Sequence, residues 1–251
     1  MPVRVFDDVK NTTKMSYGKV EFVEGVSLFD ALETITKRSK QSEKPLTYED
    51  LDVDYGFILY QSKIDKTGYL NLSKVNDRAN IFVNQKYIKT IQRNGGVSLK
   101  NKGKLDILVE NEGRICYDAM FNELKGLYQG VKLDNQELTN WNHYGFNLSN
   151  INELKFSSNL PTKVPSFYKG YFQVDEVGDT FLNPTGFTKG MAFVNCNNIG
   201  RYWLMKPQLT LYAPQSFLHE GKNELVIFEL ESQSDTIATM SFDDEPQIDI
   251  K

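Results

Sequence analysis

YGFILYQSKI (55–64), GYLNLSKV (68–75), ANIFVN (79–84), KYIKTIQR (86–93), GVSLK (96–100) and KLDILVEN (104–111) follow one another almost without interruption. Each segment is short, rich in β-branched or aromatic residues, and bounded by Gly, Asn, Asp or Lys. Short apolar runs at this spacing, broken by turn formers, predict antiparallel strands of a sandwich. ANIFVNQKYIKTI reads as a hairpin with Asn84-Gln85 at its turn. Asn tolerates the positive φ that a tight hairpin turn needs, and Gln does so less well.

Outward from this block the texture changes. Residues 133–155, LDNQELTNWNHYGFNLSNINELK, hold few β-branched residues and read as a wandering polar stretch, with Pro161 and Pro165 beyond it. Strand texture resumes in FYKGYFQV, DTFLN, KGMAFVN, QLTLYAP, ELVIFELE and TIATMSF. Upstream, residues 1–16 read as linker and GKVEFVEG (18–25) as a short strand. Residues 27–38 place Leu28, Ala31, Leu32 and Ile35 at helical spacing behind a Ser27 N-cap. Residues 39–47 read as a loop. An internal repeat is visible: ANIFVNQKYI (79–88) matches MAFVNCNNIG (191–200), and GKLDILVE (103–110) matches GKNELVIFE (221–229). The expectation is an all-β chain in three parts. Residues 1–44 form a linker carrying an early strand (18–23) and a short helix (27–38). A first β-sandwich occupies 45–155 and a second 156–251.

Composition narrows the chemistry. The chain has 251 residues and a net charge of -4, so it lacks the basic field that nucleic acid or an anionic membrane surface attracts. No apolar run approaches the roughly 18 residues that span a bilayer, and the first residues show no signal-peptide pattern. Cys116 and Cys196 are too few for a disulfide framework or a four-ligand zinc site. GxSxG, Walker A, GxGxxG and HExxH are all absent, and neither His143 nor His219 has a metal-spaced neighbour. DLDVD (50–54) begins like a calcium loop, but Tyr55 stands where the EF-hand needs Gly and Gln61 where it needs Glu. It reads as a solvated acidic turn. No metal or cofactor is expected, and residues alone point to a binding protein.

Three words stand out from an ordinary sandwich: VENEGRICY (109–117), NELKGLYQGV (122–131) and NNIGRYW (197–203). Arg201, Tyr202 and Trp203 together are read in two ways. Aromatic faces stack on sugar C–H faces while Arg donates in-plane hydrogen bonds; the plainer reading is an arginine stacked in a domain interface.

Taken in order, these words resemble the C-terminal half of the glycoside hydrolase family 35 β-galactosidases. SYGKVEF (16–22) is similar to the strand that follows the family's catalytic barrel. PLTYEDLDVDYGFILYQ (45–61), DRANIFVNQKYIKTIQR (77–93), LDILVENEGRICYDAMFNELKGL (105–127) and LTNWNHYGFNL (138–148) resemble its first β-domain. PSFYKGYFQV (165–174), DTFLNPTGFTKGMAFVNCNNIGRYW (179–203) and PQLTLYAPQSFLHEGKNELVIFELE (207–231) resemble its second. The resemblance covers about residues 16–250.

It implies two tandem jelly-roll sandwiches of the galactose-binding-domain-like type, with the early strand joining the second. It also implies that both catalytic glutamates of a retaining mechanism lie on a TIM barrel that this chain lacks, since no position here matches their motifs. The chain then reads as the non-catalytic C-terminal portion of a β-galactosidase, inactive alone. Its partners would be the barrel, in the same or a separate chain, and galactosides. A free-standing galactose-binding module and a structural subunit of a separate barrel chain are the alternatives. The resemblance further implies that Tyr117 closes one side of the galactose pocket, although Asp118 replaces the usual Gly after it, and that Arg114 supports its loop.

Overall fold

The computed structural model describes residues 12–117, 121–205 and 207–249. Of the expected linker, residues 1–11 lie outside the described residues. In chain order, β1 (Gly18–Val20) and β2 (Phe22–Ser27) precede α1 (Leu28–Ile35) and β3 (Arg38–Ser42). Then come β4 (Gly56–Ile64), β5 (Gly68–Leu72), β6 (Arg78–Val83), β7 (Lys86–Gln92), β8 (Gly95–Leu99) and β9 (Gly103–Asn111). β10 (Val131–Leu133), β11 (Gln136–Glu137) and β12 (Trp141–Phe146) complete the first half. The second half holds β13 (Ser166–Val174), β14 (Thr180–Asn183), β15 (Lys189–Val194), β16 (Asn197–Trp203), β17 (Leu211–Ala213), β18 (Gly221–Glu229) and β19 (Met240–Asp243). Two compact units result: Ser27–Lys155, and residues 1–26 with 156–251.

In the first unit a six-stranded sheet, β3-β12-β4-β9-β6-β7, packs on a four-stranded one, β11-β10-β5-β8. Ile58, Tyr60, Ile81 and Ile107 from the larger sheet meet Leu70, Leu72 and Val131 from the smaller. Alternation along β9 sends Leu105, Ile107 and Val109 into this core and Asp106, Leu108 and Glu110 to the opposite face, where they too are buried. The helix starts where expected: Ser27 Oγ accepts from the Asp30 N–H at 3.1 Å, and Leu28, Ala31 and Ile35 are buried. It stops at Ile35 rather than 38: Thr36 leaves the helix with an extended backbone (φ -66°, ψ 125°), its N–H and hydroxyl still bonding the Leu32 carbonyl at 3.1 and 2.6 Å.

Two sequence expectations are corrected here. Residues 39–42 of the expected loop belong to β3, and the polar stretch 133–155 contains β11, β12 and the last residue of β10. β3 is a sheet edge with four of its five residues exposed, so it carries no apolar alternation to read. β12 is internal, between β3 and β4, but one of its inward residues is histidine.

His143 is fully buried and satisfied as a neutral ring. Nδ1–H donates to the Lys40 carbonyl at 2.9 Å, and Nε2 accepts from the Leu46 N–H at 3.1 Å. Burial, chiefly, holds its pKa below the ordinary value, with the Lys40 charge adding to it and the Lys40 carbonyl opposing. The folded unit therefore binds fewer protons than the unfolded chain once pH falls below about 6.5, the unperturbed histidine value. The stability that the neutral ring contributes is present above that pH and is lost as pH drops through the lower folded value. Urea midpoints taken between pH 7.5 and 5.5 should fall in the parent and fall less in His143→Gln. Equal slopes would remove His143 as the cause.

In the second unit the sheets are β16-β15-β18-β13-β2 and β1-β19-β14-β17. Tyr168, Phe172, Val194, Leu225 and Ile227 pack against Val20, Leu182 and Phe242. The early segment thus divides between the two sheets. β1 pairs with β19, Gly18 opposite Phe242 and Val20 opposite Met240, while β2 flanks β13. Gly170 makes room for the crossing: a Cβ there would lie 2.5 Å from the Glu21 carbonyl oxygen.

The two units repeat one plan. β12-β4-β9-β6-β7 corresponds to β2-β13-β18-β15-β16, and β11-β10-β5-β8 to β1-β19-β14-β17. Asn84-Gln85 and Asn195-Cys196 both have positive φ at each turn residue, the geometry of a type I′ hairpin. A register shift follows Ile81 in one hairpin and Ala192 in the other. Asn84 Oδ1 accepts from Lys104 N and Asn195 Oδ1 from Glu224 N, each at 2.9 Å. That equivalence corrects the second repeat word: Lys104 corresponds to Glu224, so matching Gly103-Lys104 with Gly221-Lys222 slips the register by two residues.

Candidate functional site

β9 ends at Asn111 and the chain leaves the sheet in a long loop that returns at β10. Gly113 N–H donates to Asn111 Oδ1 at 3.0 Å, and Asn111 Nδ2 to the Asp54 carbonyl at 3.2 Å. The Arg114 guanidinium pairs with the Glu49 carboxylate, which also accepts from the Lys125 N–H at 3.2 Å. The Lys125 side chain turns inward. Its Nζ lies 2.8 and 2.9 Å from the two oxygens of Asp77, with Lys125 1% and Asp77 7% exposed. Asp77 Oδ2 accepts as well from the Glu112 N–H at 2.9 Å. Outgoing and returning arms of the loop are thereby tied to the same two carboxylates.

Gly126 sets the return path. Its N–H and carbonyl pair with the carbonyl and N–H of Asn76 at 2.8 and 3.1 Å. Its φ is +101°, and a Cβ would lie 2.3 Å from the Tyr60 hydroxyl. Burial tends to raise the Glu49 carboxyl, but its own backbone N–H, the Arg114 guanidinium and the Lys125 N–H outweigh it and hold the group below its usual value. The base of the loop is charged and held by ion pairs and hydrogen bonds, whereas three apolar side chains on it are open to solvent. Tyr117 is 78% exposed, and Phe121 and Leu124 are exposed too. Asp118 lies outside the described residues.

Arg201, Tyr202 and Trp203 end β16, and strand alternation separates their roles. Arg201 is exposed, Trp203 half-buried and Tyr202 buried. The Tyr202 hydroxyl donates to Glu229 Oε2 at 3.0 Å. Glu229, 1% exposed, also accepts from the backbone of Thr188, Glu231 and Ser232 at 2.9–3.1 Å. Burial pushes its carboxyl up, against the pull of these donors. Lys189 Nζ sits 4.6 Å from the centre of the Trp203 ring. The Tyr202 hydroxyl is thus committed to the interior, and Arg201, Tyr202 and Trp203 line a cleft of about 190 Å³ with Pro184, Met205 and Gln208.

Among the described residues no group of three or more His, Cys, Asp or Glu could hold a metal ion. Asp50 accepts from the Thr47 N–H at 3.0 Å and Asp52 pairs with Arg38 at 3.3 Å, so DLDVD is a capped turn. Cys116 and Cys196 are free and exposed.

Fold and loops together define a tandem of galactose-binding-type β-sandwiches. Residues 45–147 match the family model described as β-galactosidase, first all-beta domain, and residues 165–223 the one described as β-galactosidase, galactose-binding domain. The chain belongs to the glycoside hydrolase family 35 β-galactosidases and corresponds to their C-terminal β-domains. Beta-galactosidase 1 of Dictyostelium discoideum is 33% identical over 87% of this chain and 38% of its own length. Beta-galactosidase 17 of Arabidopsis thaliana is 33% identical over 88% and 38%, and Beta-galactosidase of Bos taurus 32% identical over 94% and 42%. The chain spans about two fifths of the length of these relatives.

Sequence reasoning singled out Arg114 and Tyr117 but missed Glu49, Asp77, Lys125 and Glu229. Glu229 left a trace, an acid inside the apolar run ELVIFELE. Lys125 left none, because nothing adjacent to it shows which way a lysine turns.

Proposed function

We propose that the chain is the non-catalytic β-portion of a β-galactosidase, one that removes terminal non-reducing β-D-galactose from oligosaccharides. It braces a catalytic TIM barrel, carried in the same or a separate chain, and presents Tyr117 as one wall of the galactose pocket. Arg114 supports the Tyr117 loop through Glu49. The observation that carries this reading is the exposed tyrosine on a loop whose base is pinned by two ion pairs. A phenol offers a sugar both a stacking face and a hydroxyl. Neither sandwich contributes a nucleophile or acid/base in this reading, so the purified chain should not turn over a chromogenic galactoside.

In an assembly that contains the barrel, Tyr117→Phe should weaken galactoside handling about fivefold, the worth of one neutral hydrogen bond. Tyr117→Ala should weaken it further by removing the stacking face. Unchanged kcat/KM in both variants would exclude Tyr117 from the pocket. A second reading, a galactose-binding module in its own right, is favoured by the Arg201–Trp203 cleft.

A further inference from the structure

The two sandwiches differ sharply at one place that the repeat makes equivalent. On the face of β4 and β9 turned away from the core, Lys63 stands directly opposite Lys104, and Gln61 opposite Asp106. Lys104 corresponds to Glu224, so the matching pairs on β13 and β18 are Tyr171 opposite Glu224 and Lys169 opposite Val226. The second sandwich closes this place on itself. Lys169 Nζ lies 2.9 Å from Glu224 Oε2, Lys222 Nζ sits 3.6 Å from the centre of the Tyr171 ring, and Val226 is a buried apolar side chain. In the first sandwich two like charges face each other instead, a destabilising cross-strand pair, and a carboxyl stands where the valine is.

Neither difference is compensated within the sandwich. Lys63 is exposed and has no ion-pair partner among the described residues. Lys104, its side chain half exposed, reaches Asp106 Oδ1 at 3.8 Å. Asp106 is fully buried. Its Oδ1 accepts from Gln61 Nε2 at 2.7 Å, while its Oδ2 is buried with no hydrogen-bond partner among the described residues. Burial pushes the carboxyl up, against the pull of Lys104 and the Gln61 amide. A buried polar atom left in this way is uncommon in folded proteins and calls for a reason. Gln61, Lys63 and Lys104 line, with Asn140 and Asn142, a cleft of about 360 Å³. Asp106 does not line it but engages two of the side chains that do. A cleft of this size suits a small molecule. Its walls carry two ammonium groups and three amides, and no acid.

We propose that this cleft binds a small oxyanion, a phosphate or sulfate group, between the Lys63 and Lys104 ammonium groups, with the Asn140 and Asn142 amides donating at its edge. Charge complementarity favours this occupant: a bound anion cancels the like-charge pair, and ammonium donors make strong charge-assisted hydrogen bonds to oxyanions. The site is separate from the Tyr117 loop. Lys104 opens β9 and the loop follows Asn111 at its end, roughly 24 Å along the strand at about 3.4 Å per residue. Titrating the 251-residue chain with inorganic phosphate, inorganic sulfate and glucose 6-phosphate, at pH 7.5 and constant ionic strength, tests it through amide shifts in ¹H–¹⁵N spectra. Expected is saturable movement of amides at 61–63, 103–104 and 140–142. Lys63→Gln, at an exposed position, should weaken binding about tenfold, the loss of one hydrogen bond from a charged donor. Lys63→Glu should abolish it and raise the urea midpoint of the first sandwich, because opposite charges then face each other across the strands. Lys132→Gln removes the same charge from the smaller sheet and should leave binding unchanged. Tighter binding of glucose 6-phosphate than of inorganic phosphate would assign the anion to a sugar ester, and equal binding to the free ion. No saturable movement with any of the three overturns the site. So does movement confined to other amides, or movement that Lys63→Glu leaves in place. Each of these would leave the Tyr117 reading standing, since that is decided by turnover in the barrel assembly.

Discussion

Ile227→Asp should unfold the second sandwich. Ile227 is fully buried in the central strand β18, opposite Tyr168 on one side and Ala192 on the other. The change forfeits about 1.5–3 kcal/mol of apolar burial and buries a carboxyl without a partner, which costs several kcal/mol more whether it stays charged or takes up a proton. The sum exceeds about 5 kcal/mol, the lower bound of domain stability. The chain has two tryptophans, Trp141 in the first sandwich and Trp203 in the second. In a Trp141→Phe background, fluorescence reports the second sandwich alone. The variant should show the solvent-exposed emission of Trp203 without denaturant, while Ile227→Val loses only about 0.5–1.5 kcal/mol. A cooperative urea transition close to that of Ile227→Val would contradict the burial of this position.

Lys125→Met should destabilise the first sandwich by about 3–5 kcal/mol, the usual result of removing one partner from a buried ion pair. Asp77 would keep only the Glu112 N–H in place of the ammonium that now spans both its oxygens. A surface pair would yield about 1 kcal/mol or less, so the size of the effect separates the two situations. The double variant Asp77→Asn/Lys125→Met should recover part of the loss, because no charge is then left buried. Trp141 fluorescence in a Trp203→Phe background measures all three. The consequence for the site is local: with the pin gone, the arms at 112–117 and 121–125 should become the first points of proteolytic cleavage. A loss near 1 kcal/mol with the cleavage pattern unchanged would mean that the loop is held by other contacts.

The strand-rich cores were legible because a strand's period is short. Apolar runs such as ELVIFELE declare themselves within a few residues, and the hairpin turn at Asn84-Gln85 was visible in one dipeptide. β3 and β12 were not legible, since an edge strand exposed on both faces and a strand with an inward histidine lack the apolar alternation that marks the others. The site divides in the same way. Tyr117 and Arg114 fall in one short word, GRICY, whereas Lys125 meets Asp77 across 48 positions of sequence.

By itself, the sequence determined the all-β class, the tandem of two similar sandwiches and the family, because these depend on patterns a few residues long repeated many times. Tertiary structure alone decided how the early segment divides between the two sheets of the second sandwich and which way Lys125, Tyr202 and Glu229 turn. Those outcomes depend on groups brought together by pairing of strands distant in sequence, and no local period encodes such a meeting.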